Sequence, residues 1–126
     1  MILLDTSVLI DSLSGPKRSA PALREAITLG KRIVVPSLVL YEWLRGPRVP
    51  EELSAQEALF PSEAAVHFGP EEASLAARLY GSVPRPRGRE IDLAVASCAI
   101  TWDAALWTLN LSDFTNVPGL RMSRPE

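Results

Sequence analysis

The chain begins with the stretch MILLDTSVLID at residues 1–11, and this stretch does most to decide the fold. Its first four residues form a short apolar run, which is typical of a strand buried on both faces. Asp5 follows this run directly, and the apolar pattern resumes at Val8. A carboxylate in a buried setting is costly unless its charge is paired or binds a metal ion. The stretch therefore predicts that Asp5 has a partner elsewhere in the chain.

The composition is typical of one globular domain, which we expect to span residues 1–126. The chain is 47% hydrophobic and 22% charged, so it can bury a core and is not expected to be disordered. Its net charge of −2 argues against nucleic-acid binding by bulk positive charge, but it is compatible with an acidic nuclease site that uses metal ions. Cys98 is the single cysteine and no apolar run is long enough to cross a bilayer, so we expect a cytoplasmic protein without membrane contact.

Apolar runs alternate with helical patterns, which predicts an α/β fold around a mostly parallel sheet. Strands are expected at residues 1–4, 33–35, 64–68 and 105–109, with a short last strand near 120–122. Helices are expected at residues 8–13, 20–29, 37–44, 51–59, 70–80 and 90–102. Gly30 is expected to end the second helix, and Ser37 to cap the third. The last helix is apolar almost all round, so it should be buried.

Four acidic residues stand where such a fold can bring them together. Asp5 and Asp113 follow predicted strands, and Asp92 lies near the start of the apolar helix. Glu42 sits in an otherwise apolar segment, SLVLYEWLRG at residues 37–46. The carboxyl ends of parallel strands meet at one edge of the sheet, where ligands bind. Because gathered carboxylates repel one another, they predict a site for Mg²⁺ or Mn²⁺, a type of site suited to phosphate substrates.

Each acid also has a purely structural interpretation. Asp5 can cap the helix that follows it, and Glu42 can pair with Arg45 or Arg32. The two later aspartates can complement helix dipoles. We prefer one shared site, because it explains all four positions together.

Other chemistry-bearing residues favour structural roles. His67 is the only histidine, so a hydrolase triad is poorly supported, and we expect it to be structural within the third strand. Cys98, Trp102 and Trp107 are expected in the core.

Four motifs, in order, carry a resemblance to a known family. They are DTSVLID at residues 5–11, PSLVLYEWLRG at 36–46, REIDLAVASCAI at 89–100 and LWTLNLSDF at 106–114. With these motifs the chain resembles PIN domains, and most closely the VapC-type ribonuclease toxins of toxin–antitoxin pairs. The resemblance implies a three-layer α/β/α sandwich around a mostly parallel sheet. It also implies an Mg²⁺- or Mn²⁺-dependent endoribonuclease with an RNA substrate, a small VapB-like antitoxin as partner, and a homodimer.

The resemblance also implies roles for individual residues. The catalytic acids would be Asp5, Glu42, Asp92 and Asp113, with Asp5 and Asp92 as direct metal ligands and the other two acting partly through waters. Supporting polar positions, which would hold a water or a carboxylate, are Thr6, Ser7 and Asn110. The arginines ahead of Asp92 are either RNA phosphate contacts or part of a solvated loop, and they are Arg85, Arg87 and Arg89.

Two other functions fit parts of the pattern. A receiver-like or phosphatase-like domain, phosphorylated on Asp5, generally needs a lysine at the phosphoryl group, and neither Lys17 nor Lys31 follows a late strand. A catalytically silent PIN-fold module would bind only a protein partner. Buried like charges without a metal would burden the stability of such a module, so we prefer the ribonuclease.

Overall fold

The computed structural model describes all residues from 1 to 126, which alternate between strands and helices. The strands are β1 (Ile2–Leu4), β2 (Ile33–Val34), β3 (Ala105–Trp107) and β4 (Met122–Ser123). The α-helices are α1 (Thr6–Leu13), α2 (Ala20–Thr28), α3 (Ser37–Arg45), α4 (Pro50–Leu59), α5 (Pro70–Ser82) and α6 (Glu90–Thr101). Two 3₁₀ helices lie at Ser62–Ala64 and at Leu111–Phe114, and the latter is called the C-terminal 3₁₀ helix below.

The four strands form one parallel sheet in the order β2-β1-β3-β4. Within it, Leu3 of β1 pairs with Val34 on one side and with Leu106 on the other. Leu3 and Leu4 point to opposite faces of the sheet, yet both are fully buried, so both faces are covered. The fold is therefore the predicted three-layer α/β/α sandwich around a parallel sheet.

The strand order changes direction at β1. The chain leaves β1 for β2 on one side, whereas β3 lies on the other side of β1 and leads outward to β4. The connections after β1 and β3 therefore diverge, and α/β proteins bind their ligands at the carboxyl edge of such a switch point. Asp5 follows β1 directly at this edge, and the segment 108–113 follows β3.

One hydrophobic core of 25 residues lies between the layers. Helix α6 has seven consecutive buried residues, Leu93 to Ala99, as its apolar composition predicts, and five of them belong to this core. Trp43 of α3 is fully buried, and the guanidinium of Arg48 lies 4.1 Å from the centre of its ring. None of the helices combines the length and the apolar character that a membrane crossing requires.

The expected strand at 64–68 is wrong. Its only pairing is a single parallel bridge between Pro36 and Val66, because the chain enters helix α3 directly after Pro36 and leaves no strand to extend the ladder. His67 is consequently exposed beside this bridge rather than held in a strand. Ser37 is the first residue of α3 and not its cap, since Pro36 occupies the cap position.

The residues that follow α2 and α6 decide two further predictions, one for Gly30 and one for Trp102. Gly30 comes directly after Leu29, the C-cap residue of α2, with φ +77°, as expected of a glycine that ends a helix. Trp102 is 38% exposed and not in the core, because α6 ends one residue before it and its ring lies under Arg32 at the surface. Trp107 is half-buried against the core.

Candidate active site

Asp5 is held by the helix that it begins. It is the N-cap residue of α1, and its Oδ1 accepts hydrogen bonds from the Ser7 hydroxyl at 2.6 Å and from the Val8 N–H at 3.0 Å. Burial raises the pKa of this carboxyl above its ordinary value, while hydrogen bonds from Ser7, Thr108 and the backbone act to lower it. Asp5 therefore does cap α1, yet only 6% of it is exposed and no arginine or lysine forms an ion pair with it.

Thr6 and Ser7 connect α1 to other elements of the site. The Thr6 hydroxyl donates a hydrogen bond to Glu42 Oε1 on α3, and Glu42 Oε2 lies 3.5 Å from Arg45 Nη2. The Ser7 hydroxyl accepts a hydrogen bond of 3.0 Å from the N–H of Leu109, which follows β3. These two neighbours of Asp5 thus fix α1 against both α3 and the end of β3.

The pKa of Asp92 is affected by the other acids. It lies half-buried in the first turn of α6. Burial, and then the charges of Asp113, Glu42 and Asp5, raise the pKa of this carboxyl to about 6, while Arg89 acts in the opposite direction. Interactions between charges weaken with distance, so the other three acids lie near enough to Asp92 to raise its pKa.

The segment after β3 supplies the remaining polar groups. Asp113 is exposed on the C-terminal 3₁₀ helix, and Asn110 precedes that helix with an exposed side chain. The N–H of Asn110 donates a 2.9 Å hydrogen bond to the hydroxyl of Thr108, which is fully buried. Sequence reasoning missed Thr108. Its signal is the register of the sheet, because Leu4 pairs with Trp107 and the next residues along the two strands are Asp5 and Thr108.

The three arginines that precede Asp92 have different surroundings. Arg85, with φ +52°, and Arg87 are exposed, and their side chains make no hydrogen bond or ion pair. Arg89 is half-buried, and its guanidinium donates hydrogen bonds to backbone carbonyls, including that of Asp113 at 3.0 Å. The three arginines, predicted as either RNA contacts or part of a solvated loop, therefore separate into two solvent-facing side chains and one that binds the protein itself.

The donor groups at this edge have the chemistry that a hard divalent cation prefers. Carboxylates and hydroxyls offer only oxygen ligands, whereas Cys98 is buried in the core and His67 lines a separate cleft beside Glu71 and Trp102. No three acidic, histidine or cysteine side chains are close enough together to hold one metal ion among them. Mg²⁺ commonly binds one or two carboxylates and keeps several waters, so two of the acids suffice to fit it.

Comparison with known proteins defines the class. The model of the PIN domain family matches residues 2–120, so the chain belongs to the PIN domain family. Over 124 residues it is 35% identical to Ribonuclease VapC19 of Mycobacterium tuberculosis, in both the CDC 1551 and H37Rv strains. The match covers 96% of this chain and 98% of that relative, which places the chain with the VapC-type members of the family.

Solved structures share the fold over nearly the whole chain. VapBC from Salmonella typhimurium, solved bound to DNA, matches with a TM-score of 0.77 at 21% identity, covering 98% of this chain and 96% of that one. A toxin–antitoxin complex from Klebsiella pneumoniae matches with a TM-score of 0.72 at 23% identity, covering 100% of this chain and 98% of that one. At such identities the likeness establishes the fold alone.

Proposed function

We propose that this chain is a divalent-metal-dependent endoribonuclease and the toxin of a toxin–antitoxin pair. The observation that carries the proposal is that four carboxylates lie near the switch point of the sheet and that two of them, Asp5 and Asp92, form no ion pair. Like charges held together without a cation reduce stability, and a bound metal ion would offset their repulsion. The identity to a ribonuclease supports RNA as the substrate, and the toxin–antitoxin complexes among the structural neighbours support a VapB-like antitoxin as the partner.

Asp5 and Asp92 are the proposed direct ligands of Mg²⁺ or Mn²⁺. Asp5 is buried and Asp92 half-buried, and neither forms an ion pair, whereas Glu42 lies near Arg45 and Asp113 is exposed. Hydrogen bonds from Ser7 and Val8 fix the orientation of the Asp5 carboxylate before any ion arrives. When bound, the ion would polarise a phosphoryl oxygen and lower the pKa of a water molecule.

Glu42 and Asp113 are proposed to orient the attacking water. The Thr6 hydroxyl fixes one oxygen of Glu42 and Arg45 lies near the other, so this carboxylate has a defined direction. Arg85 and Arg87 are the proposed contacts to RNA phosphates, because their guanidinium groups are exposed and unpaired. A homodimer and a cytoplasmic location, both expected from the resemblance and the composition, remain part of the proposal.

Cleavage of structured RNAs by the antitoxin-free chain tests the proposal. A panel of tRNAs and ribosomal fragments is incubated with Mg²⁺, with Mn²⁺ or with a chelator, using the parent and the Asp5→Asn variant. Asparagine caps helices as well as aspartate does, so the variant should fold. We expect cleavage by the parent only, and only with metal. An exposed carboxylate on α2 provides the matched control, Glu25→Gln, which should cut like the parent.

Two results would contradict the proposal. If folded Asp5→Asn cuts as well as the parent in Mg²⁺, the site is wrong. If the parent neither binds metal nor cuts any RNA, the alternative function is favoured, a catalytically silent PIN-fold module that binds a protein partner.

A further inference from the structure

Arg89 joins two separate segments of the candidate active site. Its Nη2 donates hydrogen bonds to the carbonyl oxygens of Asp113 at 3.0 Å and Thr115 at 3.2 Å, and its Nη1 donates to that of Pro84 at 3.3 Å. The carbonyl of Arg89 itself accepts a hydrogen bond of 2.9 Å from the N–H of Leu93, at the start of α6. A single residue therefore links the helix that carries Asp92 to the segment that carries Asp113.

We propose that Arg89 is a positioning residue that holds Asp113 beside Asp92. The catalytic consequence rests on the proposed function, whereas the clamp is a property of the metal-free fold. Asp113 lies on a helix of only four residues and its side chain is exposed, so its own packing does little to fix it. Phe114 and Val117 anchor the segment in the core, but both come after Asp113 in the chain.

The chemistry of the clamp suits an arginine. The last carbonyls of a helix have no partner within it, and a cation near them is favourable. The planar guanidinium has five N–H groups in a fixed fork, so it can serve carbonyls of two segments at once. Its positive charge also opposes the repulsion between Asp92 and Asp113, which would otherwise push the short helix outward.

The same contacts argue against Arg89 as a phosphate ligand. Three of its five N–H groups are used by backbone carbonyls, which direct the guanidinium toward the protein and leave fewer donors for an RNA phosphate. Arg85 and Arg87 make no such bonds, so they can reach a phosphate at no structural cost. Of the three neighbouring arginines, Arg85 and Arg87 are thus free to bind substrate, whereas Arg89 positions Asp113.

The test compares the full-length parent with Arg89→Ala and Arg89→Lys. The matched control is Arg24→Ala, because Arg24 is exposed on α2 and its side chain makes no hydrogen bond or ion pair. Amide hydrogen exchange of the metal-free proteins reports the clamp, Mn²⁺ titration reports the metal site, and RNA cleavage gives kcat and KM separately. If Arg89→Ala does not fold, Arg89→Lys provides the same readouts.

For Arg89→Ala we expect faster exchange of residues 110–117 but unchanged exchange of residues 2–9. The kcat should fall about 10- to 100-fold while KM changes little, and Mn²⁺ affinity should fall less than kcat, because Asp113 is proposed to orient the attacking water and not to bind the ion directly. Arg89→Lys should be intermediate, because an ammonium keeps the charge but cannot span the same carbonyls. Arg24→Ala should match the parent in all three measurements.

Other outcomes overturn the inference. Unchanged exchange at 110–117 would show that Arg89 does not hold the segment. Faster exchange with parental kcat would show that the clamp does not position Asp113 for the reaction. A raised KM with a weaker salt dependence and normal kcat would make Arg89 a phosphate contact instead. If the parent cuts no RNA, the proposed function fails, but exchange of the metal-free proteins still decides the clamp.

Discussion

Replacing Asp92 by asparagine is expected to stabilise the metal-free protein, although it removes a proposed metal ligand. The pKa of Asp92 is raised in the fold from 3.8 to about 6, chiefly by burial and then by the neighbouring acids. The folded state thus binds this proton more tightly than the unfolded state does. The free energy of unfolding therefore falls as the pH rises from about 4 to about 6. Above that range the charged carboxylate costs at most about 3 kcal/mol, at about 1.4 kcal/mol for each pKa unit.

Partial exposure to solvent screens these charges, so the expected gain from Asp92→Asn at pH ~7.5 is about 1–2 kcal/mol. For a chain of this length, that corresponds to a rise in Tm of about 3–8 °C. Near pH 4 the gain should almost vanish, because the Asp92 carboxyl is then protonated and uncharged in the folded parent. Asparagine has nearly the shape of aspartate, so the packing around α6 is retained.

Urea or thermal denaturation in a chelator, at both pH values, measures this effect, with Glu25→Gln as the control that should change little. Adding Mg²⁺ should then stabilise the parent more than the variant, since only the parent keeps both proposed ligands. The reasoning is refuted if Asp92→Asn is no more stable than the parent at the higher pH. It is also refuted if the gain is equally large near pH 4.

Four further changes have defined outcomes. Asp5→Ala should have a free energy of unfolding about 1 kcal/mol lower than that of Asp5→Asn in urea denaturation, because only asparagine keeps the helix cap. Equal stabilities of the two variants would contradict the capping role of Asp5. Thr6→Val releases Glu42 and should lower kcat about 10-fold with little change in stability, whereas parental kcat would remove Thr6 from the site. Trp43→Ala should cost about 3–5 kcal/mol of unfolding free energy by denaturation, and a loss below about 1 kcal/mol would contradict its burial. Gly81→Ala, in open space within α5, should raise the unfolding free energy by about 0.5–1 kcal/mol, and a decrease would mean that this helix position is strained.

The sequence predicts the central elements because their apolar composition indicates that they are buried. β1, β3 and α6 are nearly continuous apolar runs, and all three lie in the core as expected. The segment 64–68 is also largely apolar, but a strand needs a partner of comparable length. Pro36 begins the approach to α3, so only one bridge to Val66 forms. That outcome depends on where a neighbouring element ends, which local composition does not record.

The candidate site is likewise predictable from the sequence only in part. Asp5 follows a strand and Asp92 lies in the first turn of a helix, so element boundaries in the sequence predict where these two acids lie, whereas Glu42 lies inside α3. Contacts between distant elements are not predictable from spacing alone. The approach of Thr108 to Asp5 depends on sheet register, and the attachment of Arg89 to Asp113 depends on the path of a loop. The hydrogen bonds of Arg89 to backbone carbonyls match neither of the two alternatives that the sequence leaves open, a phosphate contact or a free side chain in a solvated loop.

The central claim is that Asp5 and Asp92 together hold a divalent cation. Calorimetric titration of the antitoxin-free chain with Mn²⁺, beside the double variant Asp5→Asn/Asp92→Asn, tests it most directly. We predict saturable binding by the parent that weakens below about pH 6, as Asp92 takes up a proton, and no such binding by the folded double variant. Equal binding by both proteins, or none by the parent, would contradict the account.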